Sequence, residues 1–271
     1  MNFRVKIHCL LSRPLLAVTI FLLGWPASAA TIDDSAGGPA QSKVPKTPPS
    51  AQPAPGATQA QRFLKIANEY LGRRELAEAI EYFSRALQLD DTLDEAYFGR
   101  GMARGSSGLI DEGIQDISVY IMRHPGSSHA HTKRGIRHVW KGDTESAYQD
   151  FLQAIALDPG NAEAYDDIGV IHAQRRDYQK ALESFRTVIR LEPLYFKAHH
   201  NMALVYFLLD ESAAALTEVD NALRLKTNSR NSMRLKSVIL KRLGRDKEAQ
   251  DVGEEAEFMP EENWSEVAPL K

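Results

Sequence analysis

Cysteine is nearly missing from this 271-residue chain; Cys9 is the only one. It stands before the apolar run of the first segment rather than after it, so it does not look like a lipid-anchoring cysteine. A chain trimmed of it would suit an oxidising compartment. A large excess of either charge is missing too: 33 basic residues face 36 acidic ones, the formal net charge is −3 and the isoelectric point is near 6.3. That balance gives no basic footprint for nucleic acid. No apolar run approaches the ~20 residues that cross a bilayer. Catalytic and cofactor patterns are absent as well. Gly99-Arg100-Gly101 followed by Gly105 misses the dinucleotide spacing. His131 and His138 tempt a metal reading, but seven helical residues place them about 10.5 Å apart along the axis, too far to share an ion. The sequence predicts no enzyme, no cofactor and no metal site.

What is present begins with three joined features at the start. Arg4, Lys6 and Arg13 precede an apolar stretch from Leu15 to Trp25, and Ala27-Ser28-Ala29 follows. A basic start, a short apolar core and a small-x-small site make a secretory leader over residues 1–29. The alternative is an uncleaved N-terminal segment that anchors the chain to a membrane. Cleavage after Ala29 would remove three basic residues and no acidic one, taking the formal charge from −3 to −6. Residues 30–59 follow, rich in Pro, Ala, Ser and Gln, and hold six of the 13 prolines. Such a composition cannot offset its ordering entropy, and it predicts a disordered tether.

From Ala60 a different order takes over. Pro125, Pro159 and Pro193 recur every 34 residues, and a gapless period of that length runs over 60–263. Its units are 60–93, 94–127, 128–161, 162–195, 196–229 and 230–263, with 264–271 as a tail. The eighth place is always small: Ala67, Gly101, Gly135, Gly169, Ala203, Ser237. The twentieth is small too: Ala79, Gly113, Ala147, Ala181, Ala215, Ala249. The twenty-fourth is large and apolar in Phe83, Ile117, Phe151, Phe185 and Val219, with Gly253 the exception. Apolar residues at three-to-four spacing, as in Tyr178, Ala181, Leu182, Phe185, Val188 and Ile189, predict helices. Small residues at two fixed places let two helices approach closely, and the large one fills the gap beside them. One such pair cannot bury its faces alone, so the units must stack.

These columns resemble the tetratricopeptide repeat, whose signature runs W-x-x-L-G-x-x-Y, then A-x-x-x-F, then P. The fourth unit matches it as Tyr165, Ile168-Gly169, His172, Ala181, Phe185 and Pro193, and the first as Phe63, Ile66-Ala67, Tyr70, Ala79 and Phe83. The resemblance implies an all-α solenoid of six 34-residue helix-turn-helix repeats, wound as a right-handed superhelix. The activity it implies is noncatalytic binding of a protein or peptide partner, the work of an adaptor or scaffold. With the leader, that points to an exported protein, in a bacterial periplasm. A structural or self-associating component of a larger envelope assembly is the alternative.

By the same resemblance, the first helix of each unit lines a concave groove. The matching places give a partner-binding set of Met102, Lys133, Ile136, Trp140, Asp166, Asp167, Val170, Asn201, Leu204 and Phe207. The apolar stripe through Ile136, Val170 and Leu204 reads equally well as groove floor or as contact between neighbouring units. Trp140 and Phe207 are the candidate aromatic anchors. Some members of the family clamp a C-terminal carboxylate with Lys, Asn and Arg, but no set of matching places here holds the full cationic cradle. Two units add Arg100 with Asp116 and Arg134 with Asp150, at places that should face each other and pair within the unit. Packing accounts for His131 and His199, which hold the family's aromatic fourth place. The last unit, with its acidic second helix, reads as a polar cap.

Overall fold

A computed structural model describes residues 58–260 of the chain. The leader, all but the last residues of the Pro-rich tether, and the tail from 264 lie outside the described residues. Within them the chain forms six antiparallel helix pairs and no strand. The first pair is α1 (Gln59–Gly72) with α2 (Leu76–Leu89), followed by α3 (Asp94–Ser106) with α4 (Ile110–Arg123). Next come α5 (Ser128–Lys141) with α6 (Thr144–Leu157), and α7 (Ala162–Gln174) with α8 (Tyr178–Leu191). The last two pairs are α9 (Phe196–Leu208) with α10 (Ser212–Leu225), and α11 (Arg230–Arg242) with α12 (Asp246–Glu257).

Short polar side chains start several of these helices. Thr58 and Gln61 form a capping box on α1, and Ser127, Asp143, Asn161 and Ser229 each accept from a backbone N–H in the first turn of α5, α6, α7 and α11. That satisfies donors which a helix cannot satisfy internally. Each hairpin turns through one left-handed residue at an equivalent position: Arg74, Gly108, Gly142, Arg176, Asp210 and Gly244, all with φ between 63° and 94°. Glycine adopts that conformation freely, whereas the arginines and the aspartate hold it at a cost. The prolines at 125, 159 and 193 are exposed in the turns between pairs, where each ends a helix and starts the next unit.

The small places do what the spacing requires. A Cβ on Gly135 would come within 2.7 Å of the Phe151 ring, and one on Gly169 within 2.7 Å of Phe185. Gly101 and Gly113 meet backbone to backbone, for a Cβ on either would lie 2.8–2.9 Å from the carbonyl oxygen of the other. Phe83, Phe151 and Phe185 are wholly buried as a result; interiors packed this densely leave no room for an added methyl. Burial continues from hairpin to hairpin. One cluster joins Val170 of α7, Phe185 of α8, Leu204 of α9, Val219 of α10 and Ile239 of α11. The molecule is therefore an all-α solenoid of helical repeats, each hairpin completing its neighbour's core.

Candidate functional site

Consecutive first helices touch along the series α1, α3, α5, α7, α9, α11, while second helices pack chiefly on the first helices at either side. The first-helix row is the more closely spaced of the two, which makes it the inner layer of the stack. Its middle, where α7 lies between α5 and α9, collects most of the predicted polar residues.

Four of these meet there. Lys133 of α5, a buried lysine, donates to both carboxylate oxygens of Glu163 on α7, at 2.8 and 3.0 Å. Asn201 of α9 donates its Nδ2 to Asp166 Oδ1 at 3.0 Å, across 35 residues of sequence. Tyr195, at the start of α9, donates its hydroxyl to Asp166 Oδ2 at 3.3 Å. Asp167 stands beside this cluster; its Oδ2 is shielded from solvent and bonded to no donor among the described residues, and the same holds for Asn201 Oδ1. Burial pushes the Asp166 carboxyl up to about 6, against the pull of Lys197, Asn201 and Tyr195. Asp167 is pushed well above the carboxylate range, by burial first and then by the charges of Asp166 and Glu163, which Lys133 and Lys197 oppose. Burial also raises the Tyr195 phenol, helped by the charges of Asp166 and Asp167.

The apolar members of the predicted set divide along the row. Val170, Leu204 and Phe207 are buried in one cluster, Ile136 is buried in a second with Trp140 packed against it, and Met102 borders a third with Phe98 and Tyr120. Ile136, Val170 and Leu204 each pack with residues of the next first helix, so the stripe serves as contact between units. Each aromatic candidate already carries a guanidinium: Arg137 lies 4.5 Å from the Trp140 ring centre, and Arg242 lies 4.1 Å from that of Phe207. Such contacts stabilise the rings by roughly 0.5–2 kcal/mol. A ligand stacking on those faces would meet an arginine first.

The pairs within units form as their places suggest. Arg100 grips Asp116 through Nε and Nη2, both at 2.8 Å, and Arg104 adds a third contact at 2.8 Å. Arg134 holds Asp150 in the same way at 2.7–2.8 Å and also reaches Ser118 of the preceding hairpin at 3.0 Å. His131, expected to act by packing, bonds to Asp150 through Nδ1 at 3.0 Å, and His138 comes within 3.9 Å of the same carboxylate. The two histidines thus meet at a shared acid, and no group of metal-ligating side chains is found among the described residues. His199 repeats the relation with Glu218 at 2.7 Å. Desolvation would raise Asp150, but the bonds from Arg134 and His131 outweigh it and hold the carboxyl below its ordinary value.

Sequence reasoning missed Tyr195, Asn161 and the histidine–acid pairs. Asn161 caps α7 and forks its Nδ2 to Ser128 Oγ and Thr132 Oγ1 of α5, at 2.8 and 2.9 Å. Tyr195 and Asn161 stand in turns, outside the helical period that picked the other candidates. The acid nineteen places after His131 and after His199 was the available signal for the histidines.

Sequence profiles described as tetratricopeptide repeat match residues 162–195 and 64–128. No curated protein is significantly similar to the chain in sequence. Among solved structures, a tetratricopeptide repeat protein from Parabacteroides merdae superposes with a TM-score of 0.65 at 14% identity, covering 75% of this chain and 80% of the other. The structure described as Pseudomonas aeruginosa pilF gives 0.62 at 17% identity, covering 73% and 88%. YrrB, described as a TPR protein with an unusual peptide-binding site, gives 0.53 at 21% identity, covering 65% and 91%. At these identities the likeness is one of fold.

Proposed function

Since the chain belongs to the tetratricopeptide-repeat superfamily, we propose that it is a noncatalytic adaptor that holds a segment of a protein partner along its first-helix row. The carrying observation is that row itself: five consecutive contacts between first helices build one continuous inner face, at whose centre polar groups from three helices converge. A preformed face of this kind binds an extended or helical segment without the cost of ordering the receptor. The peptide-binding site named for YrrB agrees with this reading. The leader-like pattern at residues 1–29 favours export, with the bacterial periplasm as the place of work and the Pro-rich segment as a tether. No helix among the described residues is long and apolar enough to cross a membrane.

Photo-crosslinking in the native host tests the adaptor reading. Probes belong at Met102 and Trp140, which are half-buried on the first-helix row, with Glu183, exposed on α8, as the control. One protein species should crosslink at Met102 and Trp140 and not at Glu183, and a synthetic peptide of the captured segment should bind the purified chain. Products from Glu183 alone, or crosslinks between copies of this chain alone, would replace the adaptor with a self-associating structural component.

A further inference from the structure

Each first helix is covered by the hairpin that follows it, and the last hairpin has no successor among the described residues. The fifth and ninth places of the units show the cover. They hold Thr132 and Ile136 on α5, Asp166 and Val170 on α7, and His200 and Leu204 on α9, all buried. Thr132 meets Asn161, Asp166 meets Asn201 and His200 meets Ser232, each a residue of the next hairpin or of the turn that opens it. The twelfth place, Ala173 on α7 and Phe207 on α9, is buried too. On α11 these three places hold Arg234, Val238 and Lys241, and all three are exposed. At the ninth place, Ile136, Val170 and Leu204 are 7%, 2% and 1% exposed, against 41% for Val238. Four and three residues apart, the three side chains share one face of the helix. They form a stripe of cation, apolar residue and cation about 10.5 Å long.

The other charges of α11 are committed. The helix has five basic residues and no acid. Lys236 and Arg242 are held by Asp220 and Asp210 of the preceding hairpin. Arg230 and Arg234 share Glu257, the last residue of α12, at 2.7 and 2.9 Å. The chain therefore leaves α12 at the Arg234 end of the stripe.

We propose that this stripe is the seat of the chain's own C-terminal segment, residues 261–271, which covers α11 as each following hairpin covers the first helix before it. The segment carries Glu261, Glu262 and Glu266 against Lys271 alone, with Trp264, Val267 and Leu270 among them. Its acids complement Arg234 and Lys241, and its apolar residues cover Val238. Eleven residues reach up to ~36 Å at ~3.3 Å each, well beyond the length of the stripe. Only residues 258–260 separate the segment from α12, so docking is intramolecular and needs little intrinsic affinity. A second copy of the chain stacking its α1 there fits less well. That helix and the turn after it carry Arg62, Lys65, Arg73 and Arg74 against Glu69 alone, which sets like charges together. With the segment seated, the row open to a partner ends at α9.

The test is an apolar benzophenone probe at Val238 in the purified full-length chain, with products sized and mapped by mass spectrometry. The main product should be a single chain joined internally to residues 261–271. Lys241→Glu should cut its yield at least threefold, and adding Glu262→Lys/Glu266→Lys should restore it. Lys241 is exposed, so the helical circular dichroism of each variant should match that of the wild type. Products that join two chains, or internal products that miss residues 261–271, overturn the seat. Full yield with Lys241→Glu also overturns it, by reducing the contact to the nearness of a tethered segment. So does a charge swap that restores nothing.

Discussion

Asp150 and Asp166 are equally hidden, at 5% and 8% exposure, yet they are held in opposite states. Asp150 lies inside a hairpin, gripped twice by Arg134 and once by His131, and its carboxyl is kept below the ordinary range. Asp166 lies on the first-helix row, where its hydrogen-bond donors among the described residues are the neutral Asn201 and Tyr195, and burial lifts its carboxyl to about 6 against the pull of Lys197. The difference shows that burial alone says nothing about the role of an acid in this fold. Where the repeat needs an acid for its own construction it supplies the counter-ion locally, from the facing helix sixteen residues earlier. On α7 the neighbouring Asp166 and Asp167 are both pushed upward, because burial outweighs the cations and donors set against it.

Substitutions can break this contrast, and the largest effect belongs to the compensated site. Arg134→Ala strands a buried carboxylate and should cost about 3–5 kcal/mol in urea unfolding. Replacing Arg134 and Asp150 together with apolar residues of similar volume should cost far less. A loss below ~1 kcal/mol for Arg134→Ala would show that Asp150 is not compensated by this arginine.

The second prediction has the opposite sign. Asp166→Asn removes an unfavourable charge and should stabilise the chain at pH 7.5. Two pK units set a ceiling of ~3 kcal/mol, at 1.36 kcal/mol each. The pH dependence follows from the direction of the shift. The folded state holds the Asp166 proton more tightly than the unfolded state, so the favourable contribution is complete below the ordinary value of 3.8 and is lost as pH rises through about 6. Wild-type stability should therefore fall between about pH 4 and pH 6 more steeply than that of Asp166→Asn. Asp150 works in the other direction, losing its contribution as the solution is acidified. A destabilised Asp166→Asn at pH 7.5 would mean that the α7 acids are compensated after all.

The smallest effect supplies a reference. Arg176, just beyond the C-terminal end of α7, holds φ at 65°. Arg176→Gly should stabilise by ~1 kcal/mol through relief of that conformation, equally at every pH tested. A pH-dependent gain would tie the turn to the α7 carboxylates and spoil it as a reference.

The fold was legible because its columns are coupled. Gly169 and Phe185 are informative together, since the ring occupies the space that the missing side chain vacates. The Arg–Asp pairs were legible for a similar reason, as two complementary residues at facing places. The centre of the inner face was only half legible. Period and resemblance selected Lys133, Asp166, Asp167 and Asn201 as places on a face, but could not say which would bond. Asn201 of the fifth unit meets Asp166 of the fourth one place out of register, and Tyr195 enters from the turn between hairpins, outside the helical spacing that picked the other candidates. The stripe of Ile136, Val170 and Leu204 stayed open between two uses because neighbouring first helices and a ligand ask for the same apolar residues.

The last hairpin has a consequence for how the molecule comes apart. Of the residues in α12 only Ala249 and Ala256 are buried, and Glu257 is tied to α11 by Arg230 and Arg234 at the surface. Few apolar contacts are lost when such a helix detaches. The array should behave as a zipper with one loose end: amide exchange fastest in α12, slower through α11, and slowest around α7 to α9, where the largest cluster lies. A partner seated at the α7 centre would then clamp the slowest teeth and leave the loose end free to fray.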